Sequence, residues 1–385
     1  MLILFYVCFA LLFVYLFIIS YYEAGWKKLP EVPRELVDEY EPRTAITVII
    51  PARNEEKNIL NCLDSLTNQT YPAELLQIIV VNDHSTDNTE AVVKNFPCRN
   101  VLLINLADHI TDPINSYKKK AIEIAVEHAS GELIVTTDAD CTAPPRWLYS
   151  IAAVYNGCNA AFIGAPVKLA GTSGKQERSL LFVFQALDFM TLQGITASSV
   201  AGNVHSMCNG ANMAYPRRAF YEVNGYEGID QIASGDDMLL MHKIAKRYPG
   251  RLAYIKSQDT IVSTVAASSW KAFLNQRIRW ASKANKYDDR RIIIALTIVY
   301  AQNVSLFLLM TGCFFYPEWL YKTIMVLLAK TVGEYFFVSS VAGFFNRRKL
   351  MIWFPLLQPL HITYTVVAGF FGQIGKYSWK DRKVV

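Results

Sequence analysis

Leu133-Ile-Val-Thr-Thr-Asp-Ala-Asp-Cys141 is a short, β-branched apolar run that ends abruptly in two carboxylates. Residues 132–136 read as a strand buried on both faces, as strands of parallel sheets are. The same pattern stands upstream. Ile46 to Ile50 is a β-branched run closed by Pro51, Leu75 to Val81 is a second run closed by Asn82-Asp83, and Val101 to Ile104 is a third. Helical stretches separate them. Glu55 to Leu66 carries apolar residues at 59, 60, 63 and 66, Ser85-Thr86-Asp87 offers a cap for a helix reaching Phe96, and Ala121 to Ala129 is a third helix. Strands alternating with helices specify an open, mostly parallel α/β sheet, in which ligands bind beyond the carboxyl ends of the strands. Arg53-Asn54-Glu55, Asp83 and Asp138-Ala-Asp140 all sit at such ends, so one crevice is expected to hold them.

The composition places this domain in a wider setting. Hydrophobic residues make up 52 % of the 385 and charged residues only 18 %, against about 25 % for a soluble domain. The mean hydropathy is +0.19. A disordered chain is excluded, and a wholly soluble one is not expected. A net charge of +5 is too mild for a nucleic-acid binder. The seven cysteines (Cys8, Cys62, Cys98, Cys141, Cys158, Cys208 and Cys313) include no CxxC pair, which argues against a zinc site or a disulfide framework and fits a reducing compartment.

The apolar excess is concentrated at the two ends. Residues 1–22 carry no charge and match the roughly 20 apolar residues that span a bilayer. Without a basic start or a small-residue cleavage site they read as an uncleaved anchor. Residues 23–43 form a charged, Pro-containing connector and 44–289 the α/β domain. A membrane region over 290–375 has spans near 292–315, 323–345 and 351–375, before a basic tail at 376–385. Lys330 and Glu334 lie four apart in the middle span and can pair there. Lys27, Lys28 and Arg34, then Arg290 and Arg291, then Arg347, Arg348 and Lys349 fall on one side if the first three spans each cross once. That side is expected to be cytoplasmic. Pro355 and Pro359 are expected to break the last segment, returning the tail to the same face.

Three clusters carry chemistry. Asp138 and Asp140 repel unless a hard cation lies between them, and Mg²⁺ or Mn²⁺ shared with substrate phosphates fits; a turn with capping carboxylates is the plainer alternative. Asp236-Asp237 opens a helix over Met238 to Arg247, so it reads either as a helix cap or as a general base beside neighbouring acids. Gln276, Arg279 and Trp280 share one face of a helix beginning near Ser268, where Arg suits phosphate and Trp offers a flat platform. An Arg/Trp pair at a membrane interface explains the same pattern. Leu180 to Thr196, with Asp188 its single charge, reads either as a buried helix or as an amphipathic helix guiding a lipid. His84, His205, His242 and His361 lack ligand-like spacing. The sequon Asn68-Gln-Thr70 stays unmodified in the cytoplasm, and Gln302 and Asn303 read as interhelical hydrogen-bond partners.

Pro51-Ala-Arg-Asn-Glu55, Val81-Asn-Asp-His-Ser-Thr-Asp87, Asp138-Ala-Asp140, Asn209-Gly-Ala-Asn-Met213, Gly235-Asp-Asp237 and Gln276-x-x-Arg-Trp280 stand in the order and spacing of family 2 glycosyltransferases. The chain resembles that family over residues 44 to 285. It looks most like the membrane-anchored branch that includes ceramide glucosyltransferase and the cellulose and hyaluronan synthases. The resemblance implies a GT-A fold, a Rossmann-like open mixed sheet, with one N-terminal and two to three C-terminal transmembrane helices. It implies donor contacts from Pro51, Arg53, Glu55, Asp83, Asp138, Gln276 and Arg279, and a metal held by Asp138 and Asp140. Asn209, Gly210, Asn212, Asp236 and Trp280 would line the sugar and acceptor pocket, with Asp237 as base. Asp236 stands where Glu is commoner, and Ser116-Tyr117-Lys118 where relatives often show Gly-Lys, so Lys118 and Lys119 receive no role. The expected function is inverting, Mg²⁺- or Mn²⁺-dependent transfer from a nucleotide-sugar, a UDP-sugar by preference, to a lipid or lipid-linked acceptor at the cytoplasmic face. A processive polysaccharide synthase and, in another class, an inactive membrane scaffold are the competing readings.

Overall fold

The computed structural model describes residues 2–110, 113–204, 207–232, 235–283, 289–374, 377–379 and 382–384. His205 and the side chains of the basic tail lie outside the described residues. The chain divides into two compact units, one of residues Met1–Leu29, Gly171–Val204 and Ala266–Tyr377, the other of Pro30–Ala170, His205–Val265 and Ser378–Val385. Segments 171–204 and 266–289, expected within the α/β domain, thus group with the apolar helices. The first is dominated by an apolar helix that buries its side chains among other helices rather than on a sheet.

In the α/β unit the expected runs are strands: β1 (Ile46–Ala52), β2 (Leu76–Asn82), β3 (Val101–Asn105) and β4 (Leu133–Thr136). Their interior residues, Val48 to Ile50, Ile78 to Val81 and Leu133 to Val135, are fully buried, which is why the runs are continuous rather than alternating. The short strands β5 (Cys141–Thr142), β6 (Phe162–Gly164), β7 (Val167–Ala170), β8 (Met213–Pro216), β9 (Leu252–Tyr254) and β10 (Val262–Val265) complete the unit. Seven strands form one sheet in the order β3-β2-β1-β4-β8-β6-β9, and β5-β10-β7 form a second. β1 pairs in parallel with β2 and with β4, while β8 runs antiparallel to β4 and β6, so the sheet is mixed. The chain winds outward from β1 to β3 and then returns to β4 on the other side of β1. That reversal is the switch point beyond which open sheets bind ligands. Gly131 admits the chain to β4, because a Cβ there would lie 2.4 Å from the Thr47 nitrogen.

The other unit is helical. Among the described residues, four helices are long and apolar enough to cross a membrane: Leu2–Lys28, Leu180–Ala201, Arg290–Gly312 and Pro317–Phe344. Leu180–Ala201 is buried along most of its length, and the Ser198 hydroxyl donates to the Tyr22 carbonyl of the first helix at 2.6 Å. It is a buried helix, not one lying along a lipid surface. Lys330 and Glu334 pair at 2.6 Å as expected, both buried. Gln358 accepts from Lys330 at 3.1 Å and donates to Glu334 at 2.6 Å, and Tyr15 also bonds Glu334. The charges are therefore neutralised and hydrogen-bonded, the condition for burying them. Phe354–Ile374 is a single helix and not the broken segment expected. Pro355 falls in the first turn, where no N–H is needed, and Pro359 removes one ladder bond.

Candidate active site

The loops after β1 and β2 are laced together. Arg53 donates to the carbonyls of Asp83 and His84, both at 2.9 Å. Asn54 accepts from the Thr86 nitrogen at 2.8 Å, Ser85 from the Asn54 nitrogen at 3.0 Å, and Thr89 from the Glu55 nitrogen at 2.8 Å. Asn54 and His84 hold φ of +52° and +51°, a left-handed turn that Asn and His tolerate better than branched residues do. Asp87 closes the arrangement by accepting from the nitrogens of Glu56 and Thr89 and from the Thr89 hydroxyl. Burial raises its carboxyl, but those hydrogen bonds outweigh burial and hold it below its usual value. Arg53 thus serves the loop geometry, while Asp83, 2 % exposed, pairs with His84 at 3.0 Å.

Two side chains show that the acids converge. The Cys62 thiol is pushed up by burial first and then by Asp140, Asp138 and Glu55, so three of the predicted carboxylates lie near enough to act on one sulfur. Lys118 gathers the others. Its Nζ lies 2.8 Å from Asp138 Oδ1 and 3.0 Å from Asp236 Oδ2. Burial pulls this ammonium down, but Asp138 and Asp236, with Asp237 behind them, outweigh burial and raise it. The His84 ring meets Tyr117 edge-on at 5.5 Å, tying the β2 loop to the helix that carries Lys118. Glu55, Asp138 and Asp140 are thus neighbours of Cys62, and Asp138 and Asp236 of Lys118, within this unit.

Asp237 accepts from the Met238 nitrogen at 2.7 Å and from the Gly210 nitrogen at 3.1 Å. It caps helix Met238–Arg247, as one of the two readings expected, and also lies near the acid cluster around Lys118. A Cβ at Gly210 would sit 3.1 Å from Asp236 Oδ2 and 3.4 Å from Lys118 Nζ, and this close approach explains the glycine. Asn209 accepts from the Ala211 nitrogen at 3.0 Å in a local turn. Asn212 is 1 % exposed. It accepts from Trp147 Nε1 at 2.9 Å and donates to the carbonyls of Pro166 and Thr260, each at 2.7 Å. Its side chain is spent on the scaffold rather than on a pocket wall. Pro51 pairs with Val81 within the sheet.

Gln276, Arg279 and Trp280 lie on helix Trp270–Ala281 of the helical unit. There Arg277, the residue between the motif positions, forms a buried pair with Asp188 at 2.6 Å and lies 4.2 Å from the Trp280 ring centroid. Tyr364 also bonds Asp188.

Sequence reasoning left Lys118 and Lys119 without roles. Lys119 is 1 % exposed and donates to the carbonyls of Ile229 at 2.6 Å and Ile232 at 2.7 Å, clasping the loop that leads to Asp236. A signal was available. Three lysines, 118 to 120, open helix Tyr117–Glu127, where the helix dipole opposes positive charge. Such a run is stable only when each ammonium has an acceptor.

Asp138, Asp140 and Cys141 offer ligand atoms within 4.8 Å of one another, a group able to hold a metal ion. Burial, followed by Asp140 and Asp138, drives the Cys141 thiol well above its usual value. The two carboxylates of the group suit a hard cation such as Mg²⁺ or Mn²⁺.

The profile of glycosyl transferase family 2 matches residues 47–223. The chain carries a family 2 glycosyltransferase domain. This glycosyltransferase domain includes the loops after β1, β2 and β4 and the Asn209 segment, while Asp236-Asp237 and the Gln276 motif lie beyond the matched residues. An N-acetylglucosaminyltransferase of Rhizobium meliloti is 28 % identical over 261 residues, covering 66 % of this chain and 58 % of the relative. A dolichyl-phosphate beta-glucosyltransferase of Trichomonas vaginalis is 34 % identical over 103 residues, 25 % of this chain and 30 % of that protein. The chain spans 41 to 64 % of the length of the first curated relatives it matches. Among solved structures, a mannosyltransferase of Pyrobaculum calidifontis in complex with GDP-Man and Mn²⁺ superposes with a TM-score of 0.60 at 19 % identity. The match covers 98 % of this chain and 100 % of that one. The two share the GT-A fold.

Proposed function

We propose that this glycosyltransferase moves a sugar from a nucleotide-sugar, a UDP-sugar by preference, to a lipid or lipid-linked acceptor at the cytoplasmic membrane face. The observation that carries the reading is the convergence of Glu55, Asp138, Asp140, Asp236 and Asp237 around Cys62 and Lys118 at the sheet's switch point. Five carboxylates of this kind have no packing role that hydrophobic residues could not fill better. The four apolar helices and the dolichyl-phosphate relative support a lipid acceptor. The basic residues flanking the helices support the cytoplasmic face.

Glu55 and Asp83 are assigned to the nucleoside, and Asp138 and Asp140 to Mg²⁺ or Mn²⁺. When bound, that ion offsets the charge of the departing diphosphate. Asp237 is more exposed than Asp236, and its two backbone N–H partners fix its orientation. Each carboxylate oxygen has a second lone pair to spare, so Asp237 can take the proton of the acceptor hydroxyl. As that proton leaves, the acceptor oxygen bonds to the anomeric carbon from behind. The bond from that carbon to the diphosphate oxygen breaks, inverting the configuration. On the motif resemblance, Gln276 and Arg279 are assigned to the diphosphate and Trp280 to the acceptor.

Membranes containing the protein are incubated with radiolabelled UDP- and GDP-sugars, and products are partitioned between organic and aqueous phases. Label in the organic phase from one donor is expected. Long aqueous polymer would establish a polysaccharide synthase instead, and no donor turnover would establish a scaffold. Asp237→Asn is expected to lower transfer by about 10²–10⁴-fold with nucleotide binding nearly intact. Retained turnover removes Asp237 as the base.

A further inference from the structure

Lys118 stands where its charge is hardest to explain by folding alone. It lies in the first turn of helix Tyr117–Glu127, against the helix dipole. Its ammonium is 2.8 Å from Asp138 and 3.0 Å from Asp236. Its neighbours in the same turn are occupied elsewhere, Lys119 with the carbonyls of Ile229 and Ile232 and Lys120 with Glu123 at 3.4 Å. The oxygen it engages on Asp138 belongs to the carboxylate of the candidate metal group. An ammonium 2.8 Å from Asp138 Oδ1 and a dication held by the same carboxylate would be like charges a few ångströms apart, and they repel strongly in a partly buried site.

We propose that Lys118 and the divalent cation are alternative occupants of Asp138, so that Lys118 acts as a built-in counter-ion that holds the acid cluster together until the metal displaces it. This inference rests on the metal-dependent reading above. No bond is made or broken. The Lys118 ammonium gives up Asp138, keeps Asp236 and Asp237 as its partners, and the dication gains the released carboxylate. Two consequences follow from the charge count. The metal-free cluster loses a cation within 3.0 Å of two of its carboxylates when Lys118 is neutralised, so the metal-free protein should melt lower. The same change removes a competitor, so the dication should bind more tightly in the absence of nucleotide. Both follow from the exchange, and a lysine that merely packed its stem against the cleft wall would produce neither.

The test uses the full chain purified in detergent, with Mn²⁺ alone titrated against its paramagnetic resonance signal and no nucleotide present. Lys118→Met and Lys118→Gln are each expected to bind Mn²⁺ at least about tenfold more tightly than wild type, given the loss of a unit charge within about 5 Å of the ion. Lys118→Arg, which keeps the charge, and Lys120→Met, which removes a charge two residues away, should both bind as wild type does. The rise in Tm on adding Mn²⁺ should be larger for Lys118→Met than for wild type. Unchanged or weaker Mn²⁺ binding in both neutral variants, with the metal bound by wild type, overturns the exchange alone. Equal tightening in Lys120→Met also overturns it, since general charge would then be the cause. Absence of Mn²⁺ binding in every protein overturns the exchange and the metal-dependent reading together.

Discussion

Asn212 separates scaffold from pocket within a motif that the family resemblance assigns as a whole to the sugar and acceptor. Its amide holds three buried partners, the Trp147 indole N–H and the carbonyls of Pro166 and Thr260. Asn212→Ala leaves all three facing a small void. The Trp147 nitrogen has no other partner and is fully buried, whereas the Pro166 carbonyl still accepts from Val262 at 3.1 Å. With about 1–3 kcal/mol for the indole and less for each carbonyl, the expected loss is about 3 kcal/mol. For a unit of this size that corresponds to a Tm lower by roughly 6–12 °C. Thermal unfolding of the purified chain, followed by tryptophan fluorescence, measures the shift. Donor kinetics of the surviving folded fraction, taken well below Tm, should show KM within about twofold of wild type. A variant that melts with wild type while its donor KM rises tenfold would place the side chain on the ligand and refute the scaffold assignment.

Two further outcomes follow from buried or hydrogen-bonded charge. Asp87 has its carboxyl held below the usual value, so the stability it contributes is present above about pH 4 and lost as the pH falls through its folded value; Asp87→Asn should cost about 1 kcal/mol at neutral pH and flatten the decline in Tm measured below pH 4. In the helical unit, Lys330→Met or Glu334→Leu alone leaves one buried charge unpaired and should cost about 3–5 kcal/mol, whereas the double variant should recover most of that loss. A thermal-melt double-mutant cycle in detergent checks it, and additive losses would show that the pair is not coupled.

The parallel half of the sheet was legible because burial on both faces writes itself into sequence as uninterrupted β-branched runs. Ile46 to Ile50, Ile78 to Val81 and Leu133 to Val135 could hardly be anything else. The acids were legible for a related reason, since a carboxylate pair directly after a buried strand has no ordinary packing explanation. The half of the sheet beyond β4, where β8 runs antiparallel to both its neighbours, was not legible. β6, β8 and β9 are three or four residues long, too short for a period to show. Asn212 shows the same limit at a single position. It lies one residue before β8, and only the approach of Trp147, Pro166 and Thr260 from distant parts of the chain decides which way it faces. Arg277 was passed over because it fills an unspecified position of the Gln276-x-x-Arg-Trp280 motif, and its buried partner Asp188 is 89 residues away. Conversely, Leu180–Ala201 was apolar nearly all round, and such a helix does not announce whether protein or lipid will cover it.

The two acid pairs look alike in sequence, yet their surroundings make them unequal. Asp236 and Asp237 stand at the N-terminus of helix Met238–Arg247, where the macrodipole and the capped Met238 nitrogen favour negative charge. Asp138 and Asp140 follow a β-strand and have no helix terminus behind them, and Asp138 borrows its positive charge from Lys118. If Lys118 is removed, the helix still supports the first pair, but Asp138 loses the ammonium at 2.8 Å. On the proposed assignment, the pair that relies on Lys118 takes the metal, and the pair at the helix N-terminus stays in place and accepts a proton. That assignment expects Mn²⁺ binding and acceptor deprotonation to respond separately to substitution at 138 and at 237.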